Sequence, residues 1–196
     1  MPPIVLGITG ASGAPYAVRL LEVLLRGGHE VHVTISPSGA AVVQQELSFA
    51  TSLEKFDLTQ WGLDAKLAGK LHYHHWRDFM TPIASGSFLT SGMVVCPCSG
   101  TTLSAIAAGS AGNLIQRAAE VHLKERRKLV LVPRETPVSL THIDNMKRCT
   151  EAGAVILPAS PGWYHGVKSL DDLINFVVAR ILDQLGVDNG LIKRWG

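Results

Sequence analysis

The chain has 196 residues, 46% of them hydrophobic and 17% charged, with a formal net charge of +2: room for one domain over 1–196 with a sizeable core, and too little charge for a nucleic-acid footprint. A positive mean hydropathy with so little charged surface points to apolar patches shared between subunits. No run of about 18 apolar residues reads as a membrane span, and the chain enters its first strand without a basic, apolar leader, so a cytoplasmic protein is expected.

Ile4–Ile8 is an apolar, β-branched run that ends in Thr9-Gly10-Ala11-Ser12-Gly13 and passes into an amphipathic pattern from Ala14. This predicts a strand, a tight loop and a helix start. Gly10 and Gly13 let the backbone turn sharply and approach a ligand, while free amides at the helix N-terminus and the Ser12 hydroxyl suit an anion. The spacing G-x-x-G-x-x-G differs from the dinucleotide fingerprint G-x-G-x-x-G, and close packing of helix on sheet selects such glycines too.

Leu20, Leu21, Leu24 and Leu25 recur at helical spacing up to Gly27-Gly28, predicting a helix over 16–26. Val31, Val33 and Ile35 alternate in a second strand over 29–35, and Ser38 or its neighbour caps a helix running to about Glu46. Residues 50–70 predict an irregular connection with a short helix or two. Leu71–His75 reads as a short strand with His72 and His74 on one face; with no carboxylate motif beside them, no metal site is expected. Pro82–Ser87 is a small-residue loop.

Met93–Pro97 predicts a buried strand with Cys96 in the core, and the three cysteines, 96, 98 and 149, are too few for a disulfide framework or a four-ligand zinc site. Cys98-Ser99-Gly100-Thr101-Thr102 is a second hydroxyl-rich turn, opening a helix at Leu103–Ala108. A fourth helix follows over 113–125, and the basic cluster Lys124–Lys128, which includes Glu125, reads as a solvated helix end. A strand over 129–132, a turn over 133–137, a helix over 139–152 and a last short strand over 154–157 come next. After a long loop, Ser169-Leu170-Asp171-Asp172 starts a capped helix to Leu185, and the tail ends Lys193-Arg194-Trp195.

Strands alternating with helices predict an α/β fold, a single Rossmann-like doubly wound parallel sheet with helices on both faces and the site at the strand C-terminal ends. Ser12, Ser36, Ser85, Ser99, Thr101, Thr102, Arg134, Glu135 and Tyr164 gather at those ends. Hydroxyls and a cation suit a phosphorylated ligand. An NAD(P)-dependent short-chain-type reductase would use the first glycine turn and the Tyr164-x-x-x-Lys168 spacing. Against it, Ser36 stands where a ribose-binding acid belongs, and Pro161-Gly162 and Gly166 put the Tyr–Lys pair in a loop. A non-catalytic FMN-binding carrier fits the loops as well. Glu46, Arg117, Lys124 and Arg180, charged residues in mostly apolar helices, speak against a carrier, although ordinary ion pairs also explain each of them.

Across nearly its whole length the chain resembles the UbiX-type flavin prenyltransferases. The resemblance rests on Gly-Ile-Thr-Gly-Ala-Ser-Gly-Ala at 7–14, Ala-Ser-Gly-Ser at 84–87, Cys-Pro-Cys-Ser at 96–99 and Leu-Ile-Gln-Arg-Ala-Ala-Glu-Val at 114–121. Leu-Lys-Glu-Arg-Arg at 123–127, Val-Pro-Arg-Glu-Thr-Pro at 132–137, Gly-Ala-Val-Ile-Leu-Pro at 153–158 and Tyr-His at 164–165 complete it.

That resemblance implies a metal-independent transferase joining a dimethylallyl group from dimethylallyl phosphate to reduced FMN at N5 and C6. The prenylated FMN would serve a UbiD-type decarboxylase. It implies flavin contacts from Gly10, Ala11, Ser12, Ser36, Ser85, Ser99, Gly100, Thr101, Thr102 and Arg134. The prenyl phosphate would be held by Arg117, Lys124, Tyr164 and Arg180, with Ser12, Glu46, Lys124 and Glu135 catalytic. Glu46 matches an acid implicated in proton transfer. A homo-oligomer, a dodecamer, is implied, in which some of these positions meet only across subunits. In one departure, Phe79-Met80-Thr81-Pro82 stands where relatives often have Trp before the Ala-Ser-Gly-Ser loop, a weaker π-face for an allyl cation.

Overall fold

Near-continuous apolar runs form strands covered on both faces, as parallel strands require. In the computed structural model, which describes residues 1–194, the strands are β1 (Ile4–Ile8), β2 (Val31–Ile35), β3 (Leu71–Tyr73), β4 (Gly92–Cys98), β5 (Leu129–Pro133) and β6 (Val155–Ile156). The helices are α1 (Ala14–Arg26), α2 (Pro37–Leu47), α3 (Gly100–Ala107), α4 (Leu114–Lys124), α5 (Leu140–Glu151) and α6 (Leu170–Leu185). Trp195 of the expected tail lies outside the described residues.

All strand pairs are parallel, in the order β3-β2-β1-β4-β5-β6. The chain winds outward from β1 and returns to β4 on its other side, so the C-terminal ends of β1 and β4 flank the point where the winding reverses. Doubly wound sheets open a crevice there.

Side chains alternate between two cores. Ile4, Leu6, Ile8, Val31, Val33, Val94 and Cys96 pack with Leu20, Leu21 and Leu24 of α1 and Val177, Val178 and Ile181 of α6. Val5, Met93, Val95, Leu129 and Leu131 pack with α3, α4 and Cys149 of α5. Among the described residues no helix is long and apolar enough to cross a membrane.

Three local expectations are sharpened. The cap of α2 is Ser36, whose Oγ accepts from the Gly39 amide at 3.0 Å. The basic cluster after α4 is more than a solvated helix end: Arg127 donates to the carbonyls of Phe88 and Gly86 at 2.6 and 2.5 Å and straps that loop down. Residues 50–70 hold two 3₁₀ turns, Leu58–Trp61 and Ala65–Lys70, with Trp61 buried. Tyr164 and Lys168 lie in a helix-free segment between β6 and α6, so they share no helical face.

Candidate functional site

The two glycine- and hydroxyl-rich turns are locked together by Thr9. Its Oγ1 donates to the Pro97 carbonyl at 2.7 Å and accepts from the Ser99 amide at 2.8 Å. Residues 10–13 and 99–102 therefore form one wall. Gly10 is required by packing: a Cβ there would lie 2.3 Å from Ser38 Cβ at the start of α2. Gly13 has φ of 127°, a left-handed value that favours glycine.

The α1 N-terminus has no cap from its own N-cap residue. Glu46, in the last turn of α2, supplies it: its carboxylate accepts from the amides of Gly13 at 3.0 Å and Ala14 at 2.8 Å. The Ser12 hydroxyl bonds the same carboxylate. Partial burial pushes the Glu46 carboxyl up, but the Ser12 hydroxyl, the two amides and the nearby Arg134 charge together hold it below the ordinary value. The anion predicted for this turn is thus the protein's own carboxylate, and the opening turn is no vacant phosphate cradle.

Two clefts open at the reversal point and share Arg134. The larger, about 530 Å³, is lined by Gly10, Ala11, Ser99, Gly100, Thr101, Ser104, Arg134, Glu135, Thr141 and His142. The smaller, about 330 Å³, joins Ser12 and Glu46 to the apolar walls of Pro15, Tyr16, Ala159, Pro161, Leu173 and Ile174. Arg134 Nε is buried with no hydrogen-bond partner. A buried guanidinium N–H left unpaired is costly, so its place between two clefts fits an anionic or carbonyl-bearing ligand that completes it.

The remaining predicted positions fall into three groups. Ser36 and Thr102 serve the scaffold: Ser36 caps α2, and Thr102, buried, pairs with the Ser99 hydroxyl at 3.1 Å at the start of α3. Ser85, Arg117 and Lys124 form a separate cluster, in which Arg117 Nε donates to the Ala84 carbonyl at 3.1 Å and its Nη1 meets Glu120 at 2.7 Å. Lys124 pairs with Glu125 beside Gly86. Tyr164 packs edge-on to Phe176 of α6, while Arg180, further along α6, pairs with Asp183 at 2.9 Å. None of Ser85, Arg117, Lys124, Tyr164 and Arg180 lines either cleft within one chain. Phe79 is 43% exposed and lines neither.

Sequence reasoning passed over Tyr16 and His142. His142 is the N3 residue of α5, and its Nδ1 lies 2.8 Å from the Ser139 hydroxyl that caps the helix. Its Nε2 would sit 2.7 Å from a Cβ on Gly100, so the glycine makes room for it. A Ser-x-x-His start lacks the usual Glu or Gln of a capping box, and Tyr16 was absorbed into the helical pattern. The histidine strand also gains what the sequence reading denied it: Glu30 Oε1 lies 3.1 Å from His72 Nε2.

The profile of the Flavoprotein family matches residues 1–182. The chain is 49% identical to a flavin prenyltransferase UbiX of Alkalihalophilus pseudofirmus, over 97% of this chain and 94% of that protein. It is 50% identical to a flavin prenyltransferase UbiX of Thermoplasma acidophilum, over 98% and 99%. Among solved structures it superposes on AnUbiX (PadA1) in complex with FMN and dimethylallyl pyrophosphate, with TM-score 0.87, 39% identity and coverage of 100% and 97%. A dodecameric FMN-dependent UbiX-like decarboxylase from Escherichia coli O157:H7 matches with TM-score 0.86, 38% identity and 99% of each chain covered. With the family profile matching residues 1–182 and 49–50% identity to these relatives over 97–98% of its length, the chain belongs to the Flavoprotein family, among the UbiX-type flavin prenyltransferases.

Proposed function

We propose that this chain transfers a dimethylallyl group from an allylic phosphate ester to reduced FMN, forming bonds at N5 and C6 of the acceptor. The observation that carries this reading is Arg134: it joins a large polar cleft to a small apolar one, with Nε buried and unpaired. FMN suits the larger cleft, whose Ser99–Thr101 amides at the α3 N-terminus and Arg134 fork can hold phosphate or ring carbonyl oxygens. The five-carbon prenyl chain suits the smaller cleft beside Ser12.

Breaking the allylic C–O bond leaves positive charge on carbon and the electron pair on phosphate. The chain must bind the phosphate and offer the carbon no competing nucleophile. The walls Pro15, Ala159, Pro161, Leu173 and Ile174 of the small cleft are apolar and offer no nucleophile, and Tyr16 supplies a π-face. The donor phosphate is assigned to Arg117, Lys124, Tyr164 and Arg180, which lie outside this cleft in one chain. A homo-oligomer, a dodecamer on the pattern of the E. coli relative, would bring them to it from neighbouring copies.

Bond formation at N5 uses the carbon freed by C–O cleavage and displaces the N5 proton; ring closure at C6 then breaks the dimethylallyl double bond, C2 of that group taking up a proton and C6 releasing one, so that one proton remains to be removed. Glu46 is ionised at neutral pH and would receive it through the Ser12 hydroxyl it bonds, yet its pKa is held low by four stabilising partners. A phosphate dianion, with a second pKa of roughly 6, is the stronger base. The released phosphate therefore takes the proton in the end, with Ser12 and Glu46 as the relay, and Glu135 at the rim of the larger cleft. The product would pass to a UbiD-type decarboxylase.

Anaerobic incubation with reduced FMN and dimethylallyl phosphate, followed by mass spectrometry, tests this. A flavin heavier by one five-carbon unit is expected; an unchanged flavin mass points to a carrier. Tyr164→Phe and Arg180→Ala are expected to weaken the prenyl donor while sparing FMN.

A further inference from the structure

At the opposite end of the sheet, β2 and β3 bring together groups the transferase reading does not use. His32 is register-paired with His72. Their rings stack with centroids 4.7 Å apart. Glu30 Oε1 lies 3.2 Å from His32 Nε2 and 3.1 Å from His72 Nε2, and the three donor atoms all fall within 4.8 Å of one another. A tetrahedral ion with ligand bonds of about 2.0–2.1 Å holds neighbouring donors about 3.3 Å apart.

The geometry points to a divalent transition-metal site, of zinc type, formed by Glu30, His32 and His72 with a fourth position open to solvent. Two imidazoles and one carboxylate are the donors zinc selects, and too few oxygens for calcium or magnesium. His32 is 6% exposed and fixed, while the His72 side chain is 47% exposed and can turn its Nε2 lone pair to the shared point. Behind His32, His74 Nε2 lies 2.8 Å from His32 Nδ1. That is the outer hydrogen bond that orients a ligating imidazole; the His32–His74 pair accommodates a tautomer with Nε2 free for metal and Nδ1–H donated to His74.

In front, a cavity of about 270 Å³ that includes His29, Glu30, Lys70 and His72 leaves room for water on the ion. The Lys70 ammonium there is tied to the Gly28 carbonyl at 2.6 Å.

The site would staple β3, an edge strand of three residues, to β2. Such a staple stabilises the fold by mass action, as any ligand of the native state does. It is far from the chemistry and would act on stability alone.

The full chain, stripped with chelator, is titrated with Zn²⁺ by calorimetry and with Co²⁺ by visible absorption. One ion per chain, tetrahedral d–d bands and a rise in melting temperature with Zn²⁺ are expected. His72→Ala, at an exposed position, should abolish all three, and Glu30→Gln should weaken binding by at least about tenfold. His74→Phe should weaken it about 10–100-fold, the usual loss for an outer partner. His75→Ala and His29→Ala should bind as wild type. Absence of saturable binding, unchanged binding in His72→Ala, or loss in His29→Ala instead overturns the assignment.

Discussion

The Glu46 carboxylate accepts a hydrogen bond from the Ala14 amide at 2.8 Å, so the last turn of α2 caps the first turn of α1. The helix-terminal partial charge that sequence reading reserved for a ligand phosphate is already neutralised from within. Ser12 is thereby held against a carboxylate at the mouth of the small cleft, and phosphate recognition falls to the α3 terminus and Arg134.

Glu46→Gln removes the charge and part of the cap. The expected cost is about 1 kcal/mol, the usual loss for a cap, and no more because the Glu46 carboxylate is only partly buried. At this chain length that corresponds to a fall of about 2–4 °C in Tm. The folded-state pKa is depressed, so the wild-type contribution is complete above the ordinary value of 4.5 and is lost as the pH falls through the folded value. Urea unfolding should show the wild type and the variant converging below pH 4.5. FMN should still bind, with prenylation slowed.

Arg134→Gln removes the charged fork between the clefts. A hydrogen bond to a charged group contributes about 1.5–3 kcal/mol, so FMN affinity should fall roughly 10–100-fold in a fluorescence titration. Unchanged affinity would place the flavin elsewhere. Ser12→Ala, by contrast, should retain FMN and slow product formation.

Thr9→Val keeps the shape and deletes both bonds of the bridge between the β1 and β4 turns. The Ser99 amide is then left unpaired in a part-buried place, while the Pro97 carbonyl keeps only the Thr9 amide at 3.3 Å, at a cost of about 1–3 kcal/mol. Denaturant midpoints would measure it, and FMN binding should weaken because the two halves of the wall lose their common anchor.

Gly10→Ala places a Cβ 2.3 Å from Ser38 Cβ and should destabilise by about 1–3 kcal/mol, as overpacking does. Gly69→Ala meets nothing within 4 Å and should be close to neutral. Equal Tm values for the two would show that the α2 contact yields easily.

His122 is buried, 2.7 Å from the Ala118 carbonyl and 2.8 Å from the Thr90 hydroxyl, and burial lowers its pKa from 6.5 to about 4. The fold therefore favours its neutral form. Its contribution is complete above pH 6.5 and lost as the pH falls toward 4, about 3 kcal/mol in all. His122→Gln, which bonds without titrating, should flatten the stability curve over that window. An unaltered curve would show that other groups govern acid unfolding.

The strands and helices were legible because apolar periodicity is local. Leu20, Leu21 and Leu24 mark α1, the alternation in Val31–Ile35 marks β2, and Asn113, Ser139 and Ser169 stand at helix starts that the structure caps with those same side chains; α3 begins at Gly100, capped by Ser99, three residues before the expected Leu103. The two turns that make the site wall were equally visible. The Thr9 bridge was not, since 88 and 90 residues separate Thr9 from its two partners.

By itself the sequence determined the doubly wound sheet, the family and the set of residue types at the strand ends, because these depend on short-range pattern and on motifs read in order. Only the tertiary structure decided which of those residues share a space. It sent the Glu46 carboxylate to Gly13 and Ala14, left Arg134 Nε without a hydrogen-bond partner between two clefts, gathered Arg117 and Lys124 away from them, and set Glu30 against two histidines. Each of these depends on side chains brought together by the winding of the sheet, through hydrogen bonds and charges that act over a few ångströms in space.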